Sequence, residues 1–466
     1  MQQDHDNNWW TRPCGGREVL AMALPMIVST GSWAVMHFTD RMFLIWHSTQ
    51  AVAAAMPAGM LNFTIVCLPV GVAGYANTFV AQYEGAGRPE RIGRAVFQAV
   101  LIGLFATPLL LATIPLAPWF FAIAGHDPEV AALEVIYYQT LCFGAGGAIL
   151  AAALSSFFTG RGRMRTVMLV TVAGALLNVV LDYLWIFGRG GFPAMGIRGA
   201  AWATVLAQWV EVFAYVALML RPADRRKYRL IAGLRFDAPL MGRLLRYGGP
   251  NGLQILLEVA AFSIFILLVG RLGRQAMVAT TLAFNVNTLA FVPMLGLGVA
   301  LSTIVGQQLG RNNPRLARRA TWTAFHMAAV YMGTMALLYV LKPDWFLFGY
   351  AAGAKPGEFA GLRDLTVVLL RFVAAYCLFD AMNLIFVSTI KGAGDTRFVL
   401  ATTLITAPTP VLVGWLGVRF FGLGLLWCWV VITLWICSLG LIYLARFLQG
   451  RWQHMRVIEP TVVLEG

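Results

Sequence analysis

Long apolar segments constrain this chain more than any other feature of its sequence. A run of roughly 20 apolar residues can span a bilayer as an α-helix, and the 466 residues contain twelve such runs separated by short, arginine-rich loops. The runs cover residues 18–46, 51–80, 92–124, 130–160, 164–188, 196–220, 243–270, 276–308, 317–341, 362–390, 395–420 and 422–448. Only 12% of the residues are charged, against about a quarter in a soluble domain. We therefore predict an all-α polytopic membrane protein with twelve transmembrane helices.

A closed β-barrel is the other structure that can cross a membrane, because it also satisfies its backbone hydrogen bonds internally. Its strands would appear as segments of about ten residues in which apolar and polar side chains alternate. The apolar runs of this sequence are much longer and do not alternate. The pattern therefore argues against a barrel.

An internal repeat divides the chain into two halves. With a shift of 225 residues, residues 25–95 align with residues 250–320 without a gap, and 14 of the 71 positions are identical. The clearest match places "AQYEGAGRPERIGRA" over "GQQLGRNNPRLARRA". Apolar segments of average composition would match by chance at about one position in twelve. The two halves are therefore expected to share one structure.

Each half contains six predicted helices. Because six is an even number, both halves enter the membrane from the same side, and parallel repeats of this kind are typical of transporters. We predict an N-terminal six-helix lobe over residues 1–220, a basic cytoplasmic linker over residues 221–242 and a C-terminal six-helix lobe over residues 243–466.

The positive charge of the chain is sorted by side. A formal net charge of +14 could indicate nucleic-acid binding, but loops on one side of the predicted membrane carry 25 of the 35 Lys and Arg residues, and loops on the other side carry 8. Such asymmetry is typical of membrane topology, in which cytoplasmic loops hold the excess of Lys and Arg. We therefore predict that both termini are cytoplasmic and that no nucleic acid is bound.

Several acidic residues fall inside the predicted helices, although a charge at the centre of a membrane helix costs about 2.5–3.5 kcal/mol on insertion scales. The stretch "QILLEVAAFSIFILLVG" (residues 254–270) places Glu258 in an otherwise almost apolar segment. The other acidic candidates are Asp40, Asp182, Glu211 and Asp380. Each of these residues needs a structural or functional reason to be there.

Three polar residues of the first half are expected to lie close together. Asn178 precedes Asp182 by four residues, so both side chains share one helix face. Counting 1.5 Å per residue from the cytoplasmic helix ends places Asp182 and Asp40 in the outer half of the membrane. We predict that these residues could form one site in the first lobe.

The second half has a similar set. Tyr376 precedes Asp380 by four residues, and the same spacing rule puts them on one face. We predict that Glu258 and Asp380 could face one cavity in the second lobe. A carboxylate at membrane depth can exchange a proton or bind Na⁺, and an organic cation would compete for the same negative charge.

Polar side chains in membranes also join neighbouring helices, an interaction worth about 0.6 kcal/mol on average. This interpretation fits Asn178 as well as a functional role does. It fits Glu258 and Asp380 less well, because a neutral amide would bond without the ionisation cost. Glu211 lies in the weakly amphipathic last helix of its lobe and could equally join helices or lie at the lipid edge. His37, one turn from Asp40, could tune that carboxylate.

Four motifs together resemble the multidrug and toxic compound extrusion (MATE) family. They are "AQYEGAG" (81–87), its second-half counterpart "GQQLGRNNP" (306–314), "LNVVLDYLWIFG" (177–188) and "IKGAGDTR" (390–397). The resemblance covers essentially the whole chain, including twelve helices in two six-helix lobes. It implies a secondary antiporter that exports organic cations, such as drugs and toxic metabolites, in exchange for Na⁺ or H⁺.

The resemblance also implies which residues carry coupling and binding. Glu258, Tyr376 and Asp380 match the second-lobe cation site of NorM-like members of the family. Arg371, nine residues before Asp380, departs from the family pattern, and its like charge would weaken a cation site.

A second set matches a site found in other members of the family. Asp40, Asn178 and Asp182 fit the first-lobe proton or sodium site, so this sequence holds both sets and either lobe could carry the coupling ion. Arg41 directly follows Asp40 and is a second departure from the pattern.

Two alternatives remain open. A lipid-linked oligosaccharide flippase of the same superfamily would also have many helices, but it would line its cavity with basic groups to hold pyrophosphate, whereas the residues at membrane depth here are mainly acidic. An integral-membrane enzyme would need a nucleophile with a base, or a metal cluster. None of the six His residues is paired at a spacing of four, and no G-x-S-x-G motif occurs. The sequence therefore favours a transporter over an enzyme.

The remaining expectations concern partners and location. The resemblance implies a bacterial inner-membrane protein that works as a monomer, binds small organic cations and needs no cofactor. The glycine-rich basic turns lack the GxxxxGK[ST] pattern of a phosphate-binding loop and follow no strand, so no ATPase partner is expected.

Overall fold

The computed structural model describes residues 8–124, 126–351 and 356–459. Within these ranges the chain is helical and contains no β-strand. The described residues form twelve spans that are long and apolar enough to cross a membrane, and each end of a span lies within five residues of its predicted position. The prediction of an all-α polytopic membrane protein is therefore confirmed.

The helices are numbered α1 to α17 in chain order. Those before the linker are α1 (Gly16–His47), α2 (Thr49–Gly74), α3 (Ala76–Gly85), α4 (Pro89–Leu111), α5 (Ala117–Ala124), α6 (Pro128–Thr159), α7 (Met164–Phe187) and α8 (Ile197–Met219). The later ones are α9 (Pro222–Lys227), α10 (Ala238–Gly270), α11 (Arg274–Gly310), α12 (Pro314–Leu341), α13 (Pro343–Ala351), α14 (Pro356–Ala393), α15 (Thr396–Thr406), α16 (Pro408–Phe421) and α17 (Leu425–Leu448). Short 3₁₀ helices cover Ile114–Leu116 and Arg451–His454.

The chain forms two compact units. The first-lobe unit contains the described residues of 28–256, 306–312 and 456–459, and the second-lobe unit contains those of 8–27, 257–305 and 313–455. Helices α1, α10 and α11 each contribute residues to both units, so the units differ from lobes cut at the linker. The lobe boundaries taken from the repeat, 1–220 and 243–466, stay a prediction.

Helix α6 is the central helix of the first-lobe unit and packs against α2, α4 and α8. Its start is defined by Asp127, whose carboxylate accepts a hydrogen bond from the Glu129 backbone N–H at 3.0 Å, and by Pro128, which needs no N–H partner in the first turn. Glycines allow the close approach of its neighbours: a Cβ at Gly146 would lie 2.6 Å from Thr107 Oγ1 on α4.

Helix α14 has the corresponding central position in the second-lobe unit and packs against α12 and α17. A Cβ at Gly440 of α17 would lie 2.6 Å from the Phe379 carbonyl oxygen of α14, so glycine is required for this contact. Helix α12 begins like α6, since Asn313 caps the Leu316 backbone N–H at 3.2 Å and Pro314 occupies the first turn.

The predicted linker is folded against the first-lobe unit. Asp224 on α9 accepts hydrogen bonds from Arg161 at 2.8 Å and from Arg163 at 3.1 Å. The Arg161 guanidinium lies over the rings of Phe157, at 4.3 Å, and Tyr228, at 3.9 Å. Because only 1% of the Arg161 side chain is exposed, this ion pair is buried and stabilises the linker against the loop between α6 and α7.

The C-terminal segment 456–459 also binds the first-lobe unit. Glu459 accepts hydrogen bonds from Tyr83 at 2.7 Å, Arg88 at 2.7 Å and Arg91 at 3.0 Å, and it forms an ion pair with Arg243. Burial alone would raise the pKa of Glu459, but the hydrogen bond from Tyr83 and the charges of Arg243 and Arg91 outweigh it and lower the pKa to about 2. The carboxylate therefore stays ionised at neutral pH.

Glu459→Gln is expected to loosen this segment. Charge-assisted hydrogen bonds of this kind contribute about 2 kcal/mol, which corresponds to about a 30-fold change in an equilibrium constant. The Val457 backbone N–H, which donates to Gln82 Oε1 at 2.8 Å, should exchange its hydrogen faster by about that factor. Hydrogen exchange measured at pH 7 checks this result.

The same contacts predict a pH dependence. Because the pKa of Glu459 is lowered from 4.5, its contribution is complete above about pH 4.5 and is lost as the pH falls toward about 2. Glu90→Gln is the matched control, because Glu90 is exposed in the first turn of α4. Equal exchange of Val457 in wild type and Glu459→Gln would contradict the assignment.

Candidate functional site

The structure brings Asp40, Asn178 and Asp182 together within the first-lobe unit. All three are buried, with Asn178 and Asp182 fully inaccessible. In the amide orientation that satisfies both of its polar atoms, Asn178 donates to Asp40 Oδ1 at 2.9 Å and accepts from the Thr204 backbone N–H at 3.2 Å. Helices α1, α7 and α8 thus meet at one polar cluster, which we call the first-lobe site.

The carboxylates of Asp40 and Asp182 are close enough for each to act directly on the other. Neither oxygen of Asp182 has a hydrogen-bond donor among the described residues. Two ionised carboxylates cannot bond to each other, and like charges at such a distance in a buried site do not both ionise. The arrangement is therefore suited to hold one proton between Asp40 and Asp182.

Three further side chains surround this pair. His37 Nδ1 lies 3.8 Å from Asp40 Oδ2, with 43% of the His37 side chain exposed. Tyr137, on α6, is buried within electrostatic range of both carboxylates. Arg41 is also within range of Asp40, so the like charge noted in the sequence does act on this site, although it makes no ion pair with Asp40 among the described residues.

In the second-lobe unit, Tyr376 and Asp380 share one face of α14, as their spacing predicted. Both are buried, and the Asp380 charge acts on the Tyr376 hydroxyl, which makes no hydrogen bond within the described part of the chain. The Asn383 amide, one turn further along, is close enough to act on the Asp380 carboxylate. These three residues form a small polar cluster in an apolar helix.

Glu258 acts on a different set of groups. Its charge is within electrostatic range of the Lys391 ammonium on α14 and of the Tyr443 hydroxyl on α17. Lys391 follows Asp380 by eleven residues, which is about 16 Å along a helix. Among the described residues, Asn383 is the side chain that acts on Asp380. The pairing of Glu258 with Asp380 in one cavity therefore stays a prediction.

Sequence reasoning missed several members of these clusters. Nothing in the sequence around Thr204 or Tyr137 relates them to Asp40, so only the packing of α6 and α8 brings them to the first-lobe site. Lys391 lies in the motif "IKGAGDTR", one residue beyond the predicted end of its helix at 390, and nothing in the motif relates it to Glu258.

The carboxylates do not form a cluster that suits a tightly held metal ion. Among the described residues, no group of three or more His, Cys, Asp and Glu side chains is arranged to hold a metal. Sodium prefers several oxygen ligands, so Na⁺ at either predicted set would need backbone carbonyls or water to complete its coordination. Two facing carboxylates need no such ligands to hold a proton.

An aromatic groove of about 640 Å³ lies elsewhere on the first-lobe unit. Its lining residues are Thr107, Leu111, Phe143, Trp185, Met195, Trp202, Val205, Leu206 and Trp209. It contains none of the predicted site residues and no charged group. We therefore place the candidate site at the buried polar clusters, where charge can be exchanged, rather than at this uncharged groove.

Comparison with known proteins follows the same division into halves. The sequence profile of the MatE family matches residues 25–184 and 250–416, and the two matches begin at Pro25 and Pro250, which are paired in the internal repeat. The chain is 29% identical over 417 residues to a probable multidrug resistance protein NorM of Bradyrhizobium diazoefficiens, covering 89% of each chain. It is 29% identical over 434 residues to the multidrug resistance protein NorM of Burkholderia vietnamiensis, covering 91% of this chain and 92% of that one.

A solved structure has the same fold. An outward-facing multidrug resistance MATE family transporter of the MOP superfamily matches with a TM-score of 0.86 at 18% identity, covering 95% of this chain and 97% of that chain. Such transporters have twelve helices in two lobes, which confirms the predicted fold class. At this identity the likeness concerns the fold alone.

Proposed function

Because this chain belongs to the MatE family of multidrug efflux transporters, we propose that it exports organic cations in exchange for protons. The observation that carries the choice of ion is the pair of facing carboxylates, Asp40 and Asp182, in the first-lobe site. Such a pair binds and releases one proton without any further ligand. Sodium coupling, the other possibility implied by the resemblance, is an outcome of the test below.

The proposed cycle uses the pair as a charge switch. When the site opens to the outside, the pair takes up one proton and carries one negative charge. When it opens to the inside, water reaches the pair and solvates both carboxylates, so the proton is released and both can be ionised. A coupling ion drives transport only if it binds one conformation better than the other. The exported cation is favoured in the conformation from which the proton has left, so the proton and the cation are bound alternately.

We propose that the second-lobe residues Tyr376 and Asp380 bind the exported cation. A buried carboxylate supplies the charge, and the Tyr376 ring can add cation–π attraction. The buried clusters contain carboxylates rather than an excess of basic groups, which supports an organic cation over a pyrophosphate-linked lipid. The Glu258 carboxylate is attracted to the Lys391 ammonium. We propose that it interacts with Lys391 in part of the cycle and with the exported cation in another part.

We further propose the topology and working state implied by the sequence. The asymmetry of Lys and Arg supports cytoplasmic termini and insertion in the bacterial inner membrane. The chain is proposed to work as a monomer without an ATPase or cofactor.

The function is tested by efflux of ethidium from liposomes that contain the purified protein. A pH gradient, acidic on the side that receives the dye, is expected to drive efflux, and a Na⁺ gradient at equal pH is expected to give the rate of empty liposomes. Asp380→Asn and Glu258→Gln should each slow the pH-driven rate, by about tenfold or more if a positioned charge is removed.

The outcomes separate the alternatives. Efflux driven by Na⁺ alone would replace the proton by sodium as coupling ion. Absence of ethidium efflux under both gradients, in protein that remains folded by thermal unfolding, would contradict the export of this class of cation. Asp364→Asn, which removes an exposed carboxylate, is the control for a general effect of charge and should give the wild-type efflux rate.

A further inference from the structure

Glu211 is a carboxylate in α8 that the proposed cycle does not use. It lies eight residues before the end of α8 at Met219, or about 12 Å into the helix. Among the described residues, no hydrogen bond and no ion pair reaches its side chain, and burial is the one influence on its charge. Helix-to-helix hydrogen bonding, one of the two explanations that the sequence left open, therefore has no partner to support it.

The carboxylate lines a groove of about 330 Å³ between α7 and α8. This volume is within the range of small-molecule sites. Apolar side chains form the walls, among them Leu169, which is 64% exposed, and Ala214, one turn from Glu211 on the same face. Gly174 of α7 lies directly against the carboxylate, and a Cβ at this position would overlap Glu211 Oε1. The glycine therefore makes room for the charged group within the groove.

Two polar side chains lie near the Glu211 carboxylate, but neither forms an ion pair or a hydrogen bond with it in the described part of the chain. The Tyr215 hydroxyl, one turn further along α8, is within electrostatic range of Glu211, is buried, and makes no hydrogen bond in the described part of the chain. Arg221 also lines the groove, but it is ten residues from Glu211, or about 15 Å at the rise of a helix, and forms no ion pair with Glu211 among the described residues.

We propose that this groove, with Glu211 at its base, is a second binding site for lipophilic organic cations, separate from the buried clusters of the two lobes. An apolar body fits against the walls, and a permanent positive charge on the ligand compensates the carboxylate. The ionisation cost of an acidic residue at this depth is offset when a cation is bound. An anion could pair with Arg221 but would be repelled by Glu211.

The probe is 1-methyl-4-phenylpyridinium, a permanently charged aromatic cation. Its binding is measured at equilibrium on the full-length protein in nanodiscs of phosphatidylcholine, which carries no net charge, with empty nanodiscs as background. Wild type should bind the probe at one class of site, and Glu211→Gln should weaken the affinity of that component of the binding at least tenfold. Ala214→Leu, which keeps the carboxylate but fills the groove, should weaken the same component. Glu90→Gln removes a carboxylate from an exposed helix start and should bind like wild type.

Each other outcome overturns the proposal. Wild type that binds no probe above background, or that binds it equally in Glu211→Gln, has no such site. Loss in Glu211→Gln without loss in Ala214→Leu would mean that the charge acts from a distance on another site. Disappearance of the component in Asp380→Asn would assign it to the second lobe. Because binding is measured without any gradient, the result does not depend on whether the protein exports ethidium.

Discussion

Asp182→Asn is expected to slow efflux driven by a pH gradient about a hundredfold or more, because it removes the group that shares a proton with Asp40. Asp40 and Asp182 in the first-lobe site can share a proton only while both are carboxyl groups. With Asn at position 182, Asp40 would retain a neutral hydrogen-bonding partner and no longer need to share a proton. A loss of a single essential charge switch corresponds to about 3 kcal/mol of coupling or more.

The fold should survive this change. Asn has nearly the same shape as Asp, and its amide can donate a hydrogen bond to Asp40, so the thermal unfolding temperature should be close to that of wild type. Proton coupling can be measured directly as the number of protons released when ethidium binds to the protein in detergent, which should fall from about one in wild type to near zero.

Two variants of the second lobe provide the control and the result that would contradict this prediction. Asp364→Asn, an exposed residue, should release protons like wild type. If Asp182→Asn kept full pH-driven efflux while Asp380→Asn abolished both efflux and proton release, the coupling proton would belong to the second lobe. The first-lobe site would then be a structural cluster that joins α1, α7 and α8.

Hydropathy predicted the spans well because a membrane leaves the chain few choices. All backbone groups must bond within the helix, so a long apolar run and a transmembrane helix coincide. The ends of Met164–Phe187 and Pro128–Thr159 were predicted within two residues, whereas Ala238–Gly270 begins five residues before its predicted start. The periodicity of a helix also placed Asn178 with Asp182, and Tyr376 with Asp380, on common faces.

Contacts between helices could not be predicted in the same way. A residue on one helix finds its partner through the packing of whole helices, and the sequence around Tyr137 or Thr204 contains nothing that marks them as neighbours of Asp40. Lys391 and Glu258 are far apart in the chain, and a repeat alignment cannot relate them because the partner of Glu258 in the repeat is Trp33.

In the linker, outside the membrane, contacts between side chains were likewise not predictable from the sequence. Its many basic residues predicted a cytoplasmic position, but not that Asp224, one of its few acidic residues, would pair with Arg161. That pair leads to the largest stability effect expected from a single substitution outside the membrane. Arg161 is almost completely buried, and its Nε and one terminal nitrogen have no hydrogen-bond acceptor in the described residues.

Asp224→Leu is expected to destabilise the protein by about 3–5 kcal/mol, because it leaves the buried Arg161 guanidinium without its counter-ion. The rings of Phe157 and Tyr228 remain in place and offset part of the cost, since a desolvated cation–π contact contributes about 2 kcal/mol. Unfolding measured by titration with sodium dodecyl sulfate in mixed micelles, followed by tryptophan fluorescence, gives the free-energy difference.

Arg163→Gln is the matched control, because Arg163 binds the other oxygen of Asp224 but has 53% of its side chain exposed. Removing this exposed partner should cost about 1 kcal/mol or less. The double variant Asp224→Leu with Arg161→Met should recover most of the loss, since a well-packed apolar pair often replaces a buried ion pair without penalty. Equal, small losses for Asp224→Leu and Arg163→Gln would contradict a buried charge pair, and would mean that water reaches Arg161 and the aromatic rings alone hold the linker in place.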